Sequence, residues 1–112
     1  MTSITREQLE LAALAAGKRI VMAPIGRDTF DALDVDTPTA WRPHTDPGDA
    51  ARLAVRLKMT TDCSDDWCWA VTRHTETAEV SHDGTEPDKL RAWCWAIVKC
   101  AAAVGERMRG EQ

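Results

Sequence analysis

The feature that most constrains the fold is the spacing of apolar residues near the C-terminal end of the chain. At about 100° per residue, one line of a helix carries Leu90, Cys94, Ile97, Ala101, Val104 and Met108. We therefore expect a helix that follows a turn at 83–88, ends near Met108 and packs this stripe against the core. Trp95 falls about 140° from the stripe, among alanines, where a simple amphipathic helix should be charged.

Two further helices have clear start signals. Thr5 and Gln8 form a capping box, and Gly17 supplies a left-handed stop, so the spacing predicts a helix from about residue 5 to residue 16. Asp46 followed by Pro47 predicts the start of a second helix. The apolar stripe of that helix consists of Ala50, Leu53, Ala54 and Leu57.

Three short segments have the character of strands. Residues 20–23 are apolar and β-branched, residues 67–71 alternate with period two, and residues 78–82 follow after a turn short enough for an antiparallel hairpin. We expect Trp67 and Trp69, which share one side of their strand, to face the core.

Residues 24–45 contain three prolines and a glycine, which predict a long loop with one brief strand near 29–33. Trp41 is the expected buried anchor of this loop. The predicted fold class is α+β, in the order α-β-α-β-β-α, with a small, mainly antiparallel sheet of about three strands layered with three helices.

Length and charge narrow the class of protein. The 112 residues fit a single domain, residues 1–112, and the formal charge of −4 gives no basic surface for nucleic acid. The sequence has no apolar run long enough for a membrane span and does not begin like a signal peptide. These features predict a cytoplasmic protein that binds neither nucleic acid nor membrane.

The cysteines raise the question of a metal site. Cys63, Cys68, Cys94 and Cys100 stand near His74 and His82, but the gaps between them are longer than those of common zinc ligand pairs. We expect four buried free thiols, no disulfide in a reducing cytosol, no metal and no cofactor. A metal-stabilised domain that uses some of these cysteines is the alternative. A cysteine nucleophile is disfavoured by acidic or apolar neighbours, so we predict no enzyme.

Two surfaces are candidates for protein partners. The acidic series Asp28, Asp31, Asp34 and Asp36 predicts either a solvated loop face or a docking surface for a basic protein. The outer face of the last helix, with Trp95, Ala92, Ala96, Lys99, Ala102 and Ala103, predicts either internal burial under a loop or helix, or an interface anchored by Trp95.

Residues 41–54 read W-x-P-x-x-D-x-x-D-A-x-x-L-A, which resembles a pattern in small phage and prophage proteins grouped as the phage ABA sandwich domain. The alanine-rich basic stretch 91–108 is similar to how those proteins end, and the two segments cover about a third of the chain. The acidic loop 28–36 and the Trp-Cys-Trp at 93–95 depart from that pattern.

The resemblance implies a layered helix and sheet fold and a setting in the cytoplasm of a bacterial host, but no catalytic residue. Our functional hypothesis is a non-enzymatic phage or prophage protein that binds protein, either a host protein or a second copy of itself as a homodimer, through the Trp95 face. An inhibitor of a host defence protein also fits the resemblance.

Overall fold

Three helices and six strands make up the part of the chain that the computed structural model describes, namely residues 4–24, 30–37, 39–73 and 76–110. In chain order these elements are α1 (Arg6–Ala16), β1 (Ile20–Pro24), β2 (Phe30–Asp34), β3 (Thr39–Ala40), α2 (Pro47–Arg56), β4 (Thr60–Cys63), β5 (Trp67–Val71), β6 (Thr77–Ser81) and α3 (Glu86–Gly110). The strands form two antiparallel sheets, an N-terminal sheet β1-β2-β3 and a C-terminal sheet β4-β5-β6. The α+β class is confirmed, but the strands form two sheets where we expected one.

The predicted helix signals of α1 and α2 are confirmed. The Thr5 hydroxyl accepts the Gln8 N–H at 3.1 Å, and the Gln8 side chain accepts the Thr5 N–H at 2.9 Å. Gly17 ends α1 with a φ of 69°, which favours glycine because it has no Cβ. Asp46 accepts the Gly48 N–H at 2.9 Å and caps α2.

Helix α3 forms the middle of the domain. On one side it meets α1 so closely that a Cβ on Gly105 would lie 2.0 Å from the Leu11 carbonyl oxygen. On the other side it packs against the C-terminal sheet, where Trp93 Nε1 donates to Thr61 Oγ1 at 3.1 Å. Because both sides are covered, α3 is buried over more of its circumference than an amphipathic pattern predicts. No helix in the described residues is both long enough and apolar enough to cross a membrane.

The predicted core stripe of α3 is mostly confirmed. Its members Cys94, Ile97, Ala101 and Val104 are buried. Leu90 is an exception, with 47% of its surface exposed. It lies near the start of α3, whereas α1 crosses this helix near Gly105, toward the other end.

The expected long loop contains two strands. The predicted brief strand is β2, and the two-residue strand β3 was missed because it is too short to show a pattern. Trp41 is buried, and its N–H donates to the Ala32 carbonyl oxygen at 2.7 Å, which confirms it as an anchor. Strand β4 was also missed, because its mixed polar residues resemble a break.

The expected orientation of Trp67 is wrong. Cys68 and Ala70 have no exposed area and face α3, so Trp67 points to the other side of the sheet and is 46% exposed. Trp69, on the same side as Trp67, is half-buried. Small side chains allow the sheet and the helix to approach closely, which leaves the bulky tryptophans on the outer face.

Candidate functional site

The alanines of the predicted Trp95 interface lie inside the domain. Ala92 and Ala96 have no exposed area and Ala102 is buried, whereas Ala103 and Lys99 are half-buried. Of the two alternatives for this face, internal burial therefore holds for the first three residues, because α3 is covered on both sides. Trp95 lies at the margin between these covered sides and is half-buried.

Arg91 lies one helical turn before Trp95 on α3. Its guanidinium lies 4.5 Å from the centre of the Trp95 ring, a cation–π contact. Its Nε donates to Asp88 Oδ1 at 2.6 Å and its Nη2 donates to the Ser81 carbonyl oxygen at 3.1 Å. The hydrogen bond to Arg91 lowers the pKa of Asp88, so this pair stays charged at neutral pH. These contacts hold the guanidinium over the tryptophan ring.

Trp95 borders a cleft of about 530 Å³ between the C-terminal sheet and α3. We call it the tryptophan cleft, and its defining residues are Trp67, Glu79, Ser81, Arg91, Trp95 and Lys99. Within the described residues, neither Glu79 nor Lys99 forms an ion pair. The cleft therefore combines two tryptophans with Glu79 and Lys99, which lack an ion-pair partner in the described part of the chain, and with Asp83, whose carboxylate accepts hydrogen bonds from Thr85.

His82 forms part of the wall of the tryptophan cleft. It is buried, its Nδ1 accepts the Gly84 N–H at 3.0 Å, and its Nε2 lies 2.9 Å from the Ser64 carbonyl oxygen. This pair of contacts fits the neutral ring with its proton on Nε2, which donates to Ser64. His82 therefore has a structural role and connects the wall of the cleft to the turn between β4 and β5.

A smaller cleft of about 320 Å³ lies on the other side of Trp95, where it is lined by His44, Leu90 and Arg91. The Nδ1 atom of His44 is buried and has no hydrogen-bond partner among the described atoms. Desolvation by burial lowers the pKa of His44, so its ring is neutral at pH 7. Trp95 thus separates a polar cleft from a more apolar one.

The acidic series does not form a continuous acidic surface. Asp28 lies outside the described residues. Asp31 accepts two hydrogen bonds from Arg42, at 3.0 and 2.6 Å, and Asp36 accepts one from Arg19 at 2.5 Å. Asp34 is 5% exposed and accepts the Lys18 ammonium at 2.8 Å, so its expected position on a docking surface is wrong. The described carboxylates of this series attach the N-terminal sheet to neighbouring segments.

The expectation of four free thiols is wrong for two of the cysteines. Cys63 and Cys68 stand directly opposite each other on β4 and β5, with a Cα–Cα distance of 4.0 Å, and form a disulfide. Cys94 and Cys100 are free and buried, as expected, and burial raises the pKa of each thiol to about 11. None of these sulfurs is an available thiolate nucleophile in this state.

The metal-stabilised alternative gains no support from this arrangement. Among the described residues, no group of three or more His, Cys, Asp or Glu side chains is placed to hold a metal ion. His74, which contributed to that alternative, lies outside the described residues.

No family model, curated protein or solved structure matches this chain. The resemblance to the phage ABA sandwich domain therefore stays a prediction, and the site has to be interpreted from its own geometry.

The sequence indicated Trp95 and Lys99 but not Arg91 and Glu79 as their neighbours in the cleft. Arg91 precedes Trp95 by four residues, a helical spacing that places the two side chains together and could have identified the stack. Glu79 lies opposite Trp69 in the β5–β6 register, and this pairing could have been found only after the strand ends were known.

Proposed function

We propose that this chain is a non-enzymatic protein-interaction module that pairs with a second copy of itself through the tryptophan cleft. The observation that carries the proposal is that Glu79 and Lys99, two opposite charges without an ion pair among the described residues, line the same cleft as the exposed Trp67. Aromatic anchors with a polar surround are typical of protein interfaces.

Charge favours a second copy as the occupant. In a twofold dimer the same surface of each subunit meets itself, so Glu79 of one subunit can pair with Lys99 of the partner subunit, and the reverse contact forms by symmetry. Each of these charges lacks a described partner within its own chain, so the dimer would supply one for both. A foreign surface would have to carry both signs in a matching arrangement, whereas a second copy supplies both by symmetry.

The strand beside the cleft supports the same occupant. β6 pairs only with β5 among the described strands, so its other edge has no strand partner there. Unpaired edges are surfaces on which another chain can add. Arg91 already donates to the Ser81 carbonyl oxygen on this strand, so the cleft side chains and the β6 edge belong to one surface.

The biological setting in this proposal rests on the resemblance alone. A phage or prophage protein in the cytoplasm of a bacterial host remains the hypothesis for where such a module works. A host protein that used the same anchor would compete with self-association for the tryptophan cleft.

Sedimentation equilibrium of the whole chain tests the proposal. Trp67→Ala should weaken the dimer at least tenfold, because loss of an interface anchor costs about 2 kcal/mol. Val55→Ala is the matched control, since Val55 is 78% exposed on α2, away from the cleft, and its loss should leave the dimerisation Kd unchanged. A wild-type chain that stays monomeric up to about 100 μM, or equal effects of the two variants, would contradict the proposal.

A further inference from the structure

The turn that carries Trp67 is closed by hydrogen bonds and by the disulfide. The Trp67 N–H donates to Ser64 Oγ at 3.2 Å, and the Ser64 N–H donates to the Trp67 carbonyl oxygen at 2.6 Å. The Cys63–Cys68 bond flanks these contacts on both sides, one residue before Ser64 and one after Trp67. The conformation of Trp67 at the edge of the cleft therefore depends on a turn that the disulfide closes covalently.

The same turn is joined to the wall of the tryptophan cleft. The His82 N–H donates to the Asp66 carbonyl oxygen at 3.0 Å, and His82 Nε2 donates to the Ser64 carbonyl oxygen at 2.9 Å. If the turn 64–67 becomes less ordered, His82 is therefore affected as well as Trp67, and both residues line the cleft.

The two sulfurs of the disulfide have different access and different surroundings. Cys63 is half-buried at the border of the core, whereas Cys68 has no exposed area, so Cys63 is the more accessible residue of the two. The Cys68 sulfur lies 3.4 Å from the Lys89 carbonyl oxygen, within hydrogen-bonding distance for a thiol. After reduction, the buried Cys68 thiol therefore has a hydrogen-bond acceptor in place.

The remaining cysteines do not compete in this exchange. Cys94 and Cys100 are buried, and the pKa of each is about 11. Thiol–disulfide exchange requires a thiolate, so a redox change at neutral pH is confined to the Cys63–Cys68 pair in the described structure.

We propose that the Cys63–Cys68 disulfide regulates self-association by controlling the order of the turn that presents Trp67 to the tryptophan cleft. This inference rests on the proposed function. The disulfide holds Trp67 and the His82 wall in the binding arrangement, and reduction releases them. A preordered side chain loses less conformational entropy when a partner binds, so the oxidised form binds the second copy more tightly.

The reduction step uses a dithiol as the reductant. One of its thiolates attacks the Cys63 sulfur, the bond to Cys68 breaks, and the Cys68 sulfur takes the electron pair and then a proton. The second thiol of the reductant then displaces Cys63 from the mixed disulfide, and Cys63 also takes a proton. The protein gains two electrons and two protons, and the dithiol is oxidised to its cyclic disulfide.

The test measures the dimerisation Kd of the whole chain by sedimentation equilibrium, in air-oxidised buffer and in dithiothreitol. Intact-mass counting of alkylated cysteines after denaturation verifies the state, with two expected for the oxidised chain and four for the reduced chain. Reduction should raise the Kd by about three- to tenfold, the effect of mobilising one or two interface side chains.

Two variants sharpen this test. Cys63→Ser cannot form the disulfide and should show the reduced-state Kd in both buffers. Cys94→Ala keeps the disulfide and should keep the redox response, which controls for effects of the reductant elsewhere. Amide hydrogen exchange of residues 64–67 in wild-type protein should be faster after reduction, and this readout needs no variant.

The possible failures are distinguishable. A monomer in the oxidised buffer overturns the proposed function and this regulation with it. An oxidised dimer whose Kd is unchanged when four cysteines become alkylated overturns the regulation alone. A dimer that weakens equally in Cys63→Ser and wild type upon addition of dithiothreitol also overturns it, because the variant has no disulfide to open.

Discussion

The two sheets of this domain are attached to the helices by different interactions. In the C-terminal sheet, Cys68 and Ala70 are fully buried against α3. The N-terminal sheet buries Ala32 but leaves Val21 and Leu33, a cross-strand pair, 55% and 38% exposed. Ile20 and Met22 of β1 are half-buried against the core, and ion pairs add to this contact, chief among them those of Asp34 with Lys18 and Asp31 with Arg42. Charge should therefore contribute more to the stability of the N-terminal sheet than to that of the C-terminal sheet.

The two arrangements also produce different clefts. A cleft of about 360 Å³ lies between the N-terminal sheet, α1 and α2, and one ion pair of that sheet, Lys18 with Asp34, lines it. In the tryptophan cleft, Glu79 and Lys99 have no such partners among the described residues. The N-terminal cleft also has a cation without an ion pair among the described residues, Arg56, but its tryptophan, Trp41, is buried. Exposed aromatic surface beside charge therefore distinguishes the tryptophan cleft from the N-terminal one.

The largest effect on stability is expected where α1 packs against α3, because the apolar contacts of the C-terminal sheet are made with α3. Gly105→Ala places a methyl group 2.0 Å from the Leu11 backbone, so the helices must separate. We expect a loss of about 3 kcal/mol or more in the free energy of unfolding, measured by urea titration. Gly110→Ala, which meets no atom within 4 Å, is the control and should change stability by less than about 0.5 kcal/mol. Similar urea midpoints for the two variants would show that this contact is not close-packed.

The second-largest effect on stability is expected from the disulfide, which only the C-terminal sheet has. Cys63→Ser removes the disulfide to Cys68 and restores the entropy of the unfolded chain that this short loop had restricted. A loss of about 2 kcal/mol is expected for a loop of this size. Urea titration of the variant beside oxidised and reduced wild type measures it. If the oxidised protein is no more stable than the variant, the closure does not contribute to the stability of the sheet.

Acid should release the N-terminal sheet first. Hydrogen bonds from Arg42 and Lys18 lower the pKa of Asp31 and Asp34, respectively. Their contribution is therefore complete above the ordinary carboxyl value of 3.8 and is lost as the pH falls through the lower folded-state pKa. Native-state hydrogen exchange measured at decreasing pH below about 4 should show β1 and β2 losing protection before β5.

A carboxylate beside the C-terminal sheet also titrates in acid, so some contacts near strand β5 should weaken as well. Glu76, which pairs with Arg107 beside this sheet, has a lowered pKa, chiefly because Thr72 donates a hydrogen bond to it. The apolar packing of Cys68 and Ala70 does not titrate and should hold β5 after these carboxylates are protonated. Loss of protection in β5 at the same pH as in β1 would show that charge controls both sheets.

The smallest effect on stability is expected from a comparison of two ion pairs of the N-terminal sheet that differ in burial. Arg19 and Asp36 are 73% and 56% exposed at their side chains, so Arg19→Ala should not measurably change the urea midpoint. Lys18→Ala leaves the buried Asp34 carboxylate without its ammonium partner and should lower the midpoint. If both variants lowered it equally, the burial of the carboxylate would not decide the strength of the pair.

Local signals in the sequence were sufficient for the helices. The capping box at Thr5, the left-handed Gly17 and the Asp46 cap act within a few residues, so the chain shows them directly. Strands β3 and β4 were missed because two to four mixed polar residues have no periodicity of their own and depend on pairing with distant partners.

The errors about the site have a similar cause, because they concern strand pairing and contacts between distant residues that the sequence does not show directly. Without β4, nothing placed Cys63 opposite Cys68, so the disulfide could not be predicted from spacing. The acidic loop was interpreted as a surface because its cationic partners, such as Lys18, are distant in sequence from the aspartates. Trp95 was recognised from its helical angle alone, whereas the cleft beside it required the β6 register.

The measurement that tests self-association through the tryptophan cleft most directly is sedimentation equilibrium of two charge-reversal variants, alone and mixed. Glu79→Lys places two like charges opposite each other in its own dimer, and Lys99→Glu does the same with the opposite sign. Mixed in equal amounts, the variants restore both opposite-charge contacts. We predict that each variant alone is mainly monomeric and that the mixture forms a heterodimer about as tightly as wild type. Equal association of each variant alone and in the mixture would contradict pairing through this cleft.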